Sequence, residues 1–368
     1  MPFAPPVRLE AAGCITALGD ARATHAALLR NEIALQARPV LGSDGGEVVP
    51  LALVPGRAFD DTTPPNWLPM LRAMSQTLSG DGWGTARRPV FVTSSNFGVG
   101  NLYAYRRSRD AAHLAFGTPH ACVEWLAAAL GWGANVTTVS HACVSAHLGL
   151  LLATRVVQAG FAGRALVFSF DFISPFVAGG FNALKILNAG FPAPYADRAT
   201  GSIGLGDGAA FAVLSRERGD FLIEAQSLHN EMHHFTANRA DGAGFTTCLS
   251  PVREAVNGRR VWLKGHGTGT LEAGRLESTA FAAAFPDAPL VGWKGSLGHT
   301  LGSCGLVELA LACEAIRSGR APGTVGGAAP GFQPNIALDS IATHDTEGVV
   351  CASNAFGGAH AAFFLRHA

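Results

Sequence analysis

The stretch from Ser145 to Val157 constrains this chain most. Apolar or small residues occupy nearly every face of it, and only His147, Thr154 and Arg155 interrupt. The spacing predicts a helix from about Ser145 to Gln158, closed by Gly160. A helix that is apolar all round has no side to give to water, so it belongs in the middle of a layered fold. The β-branched run Val136–Ser140 precedes it across a tight turn, and the apolar run Ala165–Phe170 follows it; both read as strands.

The order strand, tight turn, small-residue helix, Gln-Ala-Gly occurs a second time in weaker form. Leu290–Trp293 reads as a strand, a Gly-rich turn follows, then a helix over Gly305–Arg317 and Ser-Gly. Elsewhere Val7–Cys14 and Pro89–Thr93 read as strands and Ala21–Arg30 as a helix, an α/β alternation. Two similar halves with adjacent central helices are therefore expected, divided as 1–225 and 226–368. No Pro/Gly/Ser tract separates them. The loosest stretch is Arg218–Ala243, rich in His and polar residues, and Ala321–Pro334 reads as a surface excursion.

Composition narrows the class. Lys+Arg and Asp+Glu both number 27, without the basic excess of a nucleic-acid binder. The most apolar run, Leu148–Val157, is too short to span a bilayer and is broken by Arg155. The opening Met-Pro-Phe-Ala-Pro-Pro-Val-Arg has no basic segment followed by an apolar one, so no secretory signal is expected. Seven cysteines, an odd number with no Cys-x-x-Cys pair, suit a reducing cytoplasm and give no metal-ligand spacing.

Three strand-end turns each deliver one reactive residue type. Cys143, in Ser-His-Ala-Cys-Val-Ser-Ala, sits where a strand meets the central helix. Unpaired N–H groups at a helix start favour a thiolate there, although a lone Cys is as readily a packed, inert one. His266 lies in Lys-Gly-His-Gly-Thr-Gly-Thr after the run Arg260–Leu263, and His299 in Lys-Gly-Ser-Leu-Gly-His-Thr-Leu-Gly. Either His alone reads more simply as a satisfied loop residue. A fourth segment, Ala352–His360, reads alone as a β-hairpin.

Together the order Cys, His-Gly-Thr-Gly-Thr, Lys-x-x-x-Gly-His-x-x-Gly and Phe-Gly-Gly resembles the elongating β-ketoacyl-(acyl carrier protein) synthases, Cys-His-His members of the thiolase superfamily, over nearly the whole chain. The opening Ala12-Gly-Cys-Ile-Thr-Ala-Leu-Gly19 is similar to the family's first strand and turn. The resemblance implies a thiolase-like five-layer αβαβα fold of two pseudo-repeated halves, the first holding the nucleophile and the second both histidines. It implies Cys143 as the acyl-accepting nucleophile, and His266 and His299 as donors to a malonyl thioester during decarboxylation. Lys294 would orient the site with Glu308 as its buried partner. The N–H groups of Cys143 and Phe356 would form an oxyanion hole, with Phe356 also a gate. Thr268 and Thr270 would bind the pantetheine arm. No cofactor or metal is implied, because substrates arrive on the phosphopantetheine of acyl carrier protein. The implied assembly is a dimer through Ala134–Ser140, with a copy of the chain or with a related ketosynthase or chain-length factor.

The chain also departs from the family pattern. Ala273-Gly274-Arg275 stands where Gly-Asp is usual, with Glu277 in the Glu place. The gate reads Asn354-Ala-Phe-Gly-Gly-Ala-His360 in place of Phe-Gly-Phe-Gly-Gly-Thr-Asn, and Asp207 replaces a Glu. His147 is read as a helix residue capping local polar groups, and Cys304 as packing. Against the enzyme reading stands a non-catalytic chain-length-factor-like partner, a class that typically lacks the nucleophile this chain retains.

Overall fold

Strand faces alternate, and here both faces of the central strands are apolar, so layers must cover them on either side. The computed structural model describes residues 5–40, 47–78, 82–187, 190–326 and 331–368. Residues 1–4 of the expected leader-free start and 327–330 of the expected surface excursion lie outside the described residues.

The first strands are β1 (Val7–Thr16), β2 (Val90–Thr93), β3 (Val136–Val139), β4 (Arg164–Asp171) and β5 (Gly208–Ser215). The second set is β6 (Phe221–Asn230), β7 (Trp262–Lys264), β8 (Leu290–Val291), β9 (Val349–Ala355) and β10 (Ala359–His367). Within the sheet the first set runs β1-β5-β4-β2-β3 and the second β6-β10-β9-β7-β8. The two orders are one topology used twice. In both, the first two pairings are antiparallel and the last two parallel. Within the sheet the sets join where Val7–Leu9 of β1 meets Phe221–Ile223 of β6.

The layers follow from side-chain alternation. On β4, Leu166, Phe168 and Phe170 face an outer cluster with Leu71 of α1 (Leu68–Gln76) and Leu126 of α2 (Pro119–Ala129). Ala165 and Val167 face inward, onto Leu150 and Ala153 of α3 (Ser145–Gln158). Next, α4 (Pro175–Ala183) extends from the end of β4. In the second set, Val350 and Phe364 face out, onto Leu249 of α5 (Ala243–Val256) and Phe281 of α6 (Leu271–Ala284). Val349, Cys351 and Phe363 face in, with Leu306, Leu309 and Ala310 of α7 (Cys304–Ser318). Helix α3 and helix α7 therefore lie side by side between the two strand sets, as the apolar sequence of α3 demands. Their approach is close: a Cβ on Gly305 would fall 2.3 Å from His147 Nδ1, so only glycine fits at that crossing.

Three expectations change in detail. Arg218–Ala243 holds β6, whose first three residues Phe221–Ile223 are buried and whose end is polar and partly exposed; the loose reading came from that polar end. The strand expected at Arg260–Leu263 instead spans Trp262–Lys264, and Leu290–Trp293 pairs only over Leu290–Val291, because Trp293 starts the helical turn Lys294–Leu297. The segment Ala352–His360 does form the turn of a hairpin, β9 to β10.

Candidate active site

Every reactive residue type sits just past the carboxyl end of a parallel strand, where α/β sheets open their ligand crevices. Cys143 follows β3, His266 follows β7 and His299 follows β8. Phe356 sits on the β9–β10 turn. Cys143, His266, His299, Thr268, Thr270 and Phe356 all line one cavity of about 290 Å³, whose apolar wall includes Phe181, Ile186 and Ile203. Lys294 and Glu308 are buried behind it.

The Cys143 turn is held by short bonds. Ala142 takes a left-handed conformation (φ 47°). Ser145 Oγ accepts from His141 N (2.7 Å) and donates to Ala142 O (2.6 Å). The helix start is therefore in place, but Cys143 is only 8% exposed. Burial pushes its thiol well up, Cys304 beside it adds to this, and Lys294 opposes. Burial thus works against the thiolate that the helix start would favour.

The two imidazoles stand edge to face, their ring centres 4.8 Å apart. His299 is pinned through its backbone: its N–H donates to Gly204 O (2.7 Å), and Gly206 N–H donates to its carbonyl (3.0 Å). Gly298 before it has φ 70°, and a Cβ there would meet Leu205 C at 2.5 Å. Leu301 N–H donates to His299 Nδ1 (3.2 Å), so in the neutral ring the proton sits on Nε2. That Nε2 is buried and has no hydrogen-bond partner among the described residues, as has His266 Nδ1. Burial first, then Lys294, lowers both imidazoles well below the usual histidine range. Both are therefore neutral at physiological pH, and His299 presents a free N–H donor.

The loop carrying His266 is fixed by a buried carboxylate. Glu277 Oε1 accepts from His266 N (2.5 Å), and its Oε2 accepts from Gly267 N (3.0 Å) and Tyr195 Oη (2.7 Å). Lys294 Nζ donates to His266 O (2.8 Å) and to Glu308 Oε1 (2.5 Å), as expected of that pair. Thr268 and Thr270 hydroxyls lie 3.2 Å apart. Phe356 stacks on Phe181 with ring centres 6.1 Å apart.

Some features escaped the sequence reading. Lys264 is fully buried and ion-paired to Glu308; its signal was a lysine closing an otherwise apolar strand. Tyr195 was not singled out, since nothing local marks its reach to Glu277. His147 is a correction. Neither of its ring nitrogens has a partner among the described residues, so it caps no polar group; it packs on Gly305 and Phe363. Cys304 does more than pack, because its Sγ donates to Cys143 O (3.3 Å).

Residues 223–327 match the β-ketoacyl synthase C-terminal domain. The chain is 28% identical over 271 residues to the tetracenomycin polyketide synthase ketoacyl synthase alpha subunit of Streptomyces glaucescens, covering 66% of this chain and 62% of that one. It is 28% identical over 218 residues to 3-oxoacyl-(acyl-carrier-protein) synthase 2 of Coxiella burnetii, covering 52% and 51%. The chain thus spans less than two thirds of the length of these curated relatives. In three dimensions it superposes, with TM-score 0.85 at 19% identity over 99% of this chain and 98% of that one, on a chain from the structure of the ketosynthase ApeO in complex with its chain length factor ApeC from Xenorhabdus doucetiae. Residues 223–327 thus match a β-ketoacyl synthase C-terminal domain, and the chain as a whole is similar to β-ketoacyl synthases in sequence and shares its fold with a ketosynthase structure.

Proposed function

We propose that this chain is a decarboxylating β-ketoacyl synthase that joins an acyl group held on Cys143 to a malonyl unit. The observation that carries this reading is that Cys143, His266 and His299 line one cavity, with both imidazoles held neutral. In the first half-reaction the Cys143 sulfur attacks an acyl thioester; its proton leaves with the departing carrier thiol, and acyl-Cys143 remains. In the second, a malonyl thioester loses CO2 and the electron pair of the broken C–C bond becomes an enolate. His299 Nε2–H and His266 donate to the developing enolate oxygen, the kind of pre-aimed donor that lowers such barriers. The enolate carbon attacks the acyl carbonyl, the C–S bond to Cys143 breaks, and the released thiolate takes up a proton from water to re-form the thiol. The N–H groups of Cys143 and Phe356 serve as oxyanion donors, and Thr268 and Thr270 hold the pantetheine arm.

The substrates in this reading are carried by acyl carrier protein, in fatty-acid-like or specialised polyketide or aryl polyene synthesis, within a reducing cytoplasm. All seven cysteines are free, which suits that compartment. The working unit is a dimer with a copy of this chain or with a chain-length-factor-like partner, as the pairing of ApeO with ApeC supports. Mass spectrometry of products from a panel of acyl carriers plus malonyl carrier tests this. A 3-oxoacyl product that disappears in Cys143→Ala is expected. Condensation seen only with a partner ketosynthase present, and unchanged by Cys143→Ala, would favour the non-catalytic reading.

A further inference from the structure

The buried cluster behind the cavity holds two lysines and one carboxylate. Lys264 at the end of β7 and Lys294 in the helical turn both contact Glu308 of α7. All three are buried. Lys294 also hydrogen-bonds His266 O (2.8 Å), whereas Lys264 Nζ has no well-formed hydrogen bond and lies 5.7 Å from the Trp293 ring centre. One carboxylate cannot neutralise two ammonium groups, so with both lysines protonated the cluster carries one positive charge in excess. Burial is expensive for such a charge unless it has a use.

We propose that Lys264 is a positioning residue for the reaction proposed above: by sharing Glu308 it leaves the charge of Lys294 unneutralised toward Cys143 and the two imidazoles. The inference rests on that reading of the site. Other groups facing the cluster are Cys304 of α7, Cys351 of β9, His147 of α3, Glu277 of α6, and the pair His266 and His299. Of these only Glu277 is an acid, and its carboxylate is committed to Tyr195 and two backbone N–H groups. The other carboxylate acting on Cys143 is Asp171, which is committed to Ser94, Ser95 and Asn96.

The test is alkylation of Cys143 by iodoacetamide at pH 8, followed by peptide mapping, in the wild type, Lys264→Met and Lys264→Arg. At an effective dielectric constant of about 20, removing a unit charge on the order of 10 Å from a thiol moves it by roughly one pH unit. Alkylation of Cys143 in Lys264→Met is expected to slow by about three- to ten-fold, while Lys264→Arg stays near the wild type. Loosened packing would act the other way, exposing the thiol and speeding alkylation. Should Lys264→Met not fold, Lys264→Gln makes the same reading. Equal or faster alkylation in the folded neutral variant, or equal slowing in Lys264→Arg, overturns the proposal. The assay does not need turnover. A wild type that alkylates at Cys143 yet forms no product would sink the functional reading and leave this comparison intact.

Discussion

His147 is a buried, neutral imidazole without a hydrogen-bond partner among the described residues, and replacing it has a calculable consequence. Burial is the main cause of its low pKa, with the two buried lysines adding to it and Glu308 opposing; it falls from 6.5 to about 4. Because the folded value lies below the unfolded one, only the unfolded chain takes up a proton between those values, and stability drops as pH falls through that window. At pH 7 the resulting loss is only about 0.2 kcal/mol, and at pH 5 it reaches about 2 kcal/mol. His147→Leu removes this dependence, keeps a similar volume against Gly305 and Phe363, and breaks no hydrogen bond. Other buried histidines contribute equally to both proteins and cancel in the difference. For a chain of 368 residues the unfolding entropy is about 0.8 kcal/mol/K, so 2 kcal/mol corresponds to about 2.5 °C. Thermal melts at pH 7 and pH 5, at matched protein concentration, should show His147→Leu losing about 2.5 °C less than the wild type on acidification. An equal loss in the two proteins would refute the view that His147 is held neutral by burial.

Two further substitutions probe the frame around the cavity. Arg57 and Asp207 form a fully buried pair, in which Asp207 also accepts from Val54 N and Ile173 N; Arg57→Ala strands that carboxylate, and a loss of about 3–5 kcal/mol is expected by urea unfolding. Tyr195→Phe removes one of three bonds to Glu277 while its ring still fills the space beside Gly265, Gly267 and Gly292. A loss of about 2 kcal/mol is expected, read as a melting temperature lower by about 2–3 °C.

Much of the fold was legible because it rests on apolar patterning. The all-round apolar helix 145–157 required sheets on both sides, and the weaker copy at 290–317 pointed to the repeat that the two strand orders display. The site was legible because Cys143, His266 and His299 each stand in a Gly-rich or small-residue turn at a strand end, a local signal. What escaped depends on long-range contact. Tyr195 reaches Glu277 across 82 positions, and no spacing rule reports that. Lys264 was not singled out, because the carboxylate that draws it inside, Glu308, lies 44 positions later in the sequence. His147 was misjudged because a polar residue in a helix ordinarily finds a partner, and here the close crossing at Gly305 leaves it none. Polar strand ends such as His229–Asn230 blur into loops when their pairing partner, β10, lies at the other end of the chain.

The most direct measurement is the intact mass of the protein after incubation with an acyl-pantetheine thioester, with peptide mapping of the adduct. A single acyl group on Cys143, absent in Cys143→Ala although the other six cysteines remain, is the predicted result. Acylation of the Cys143→Ala variant at another residue, or 3-oxoacyl product formed while Cys143 stays unmodified, would contradict it.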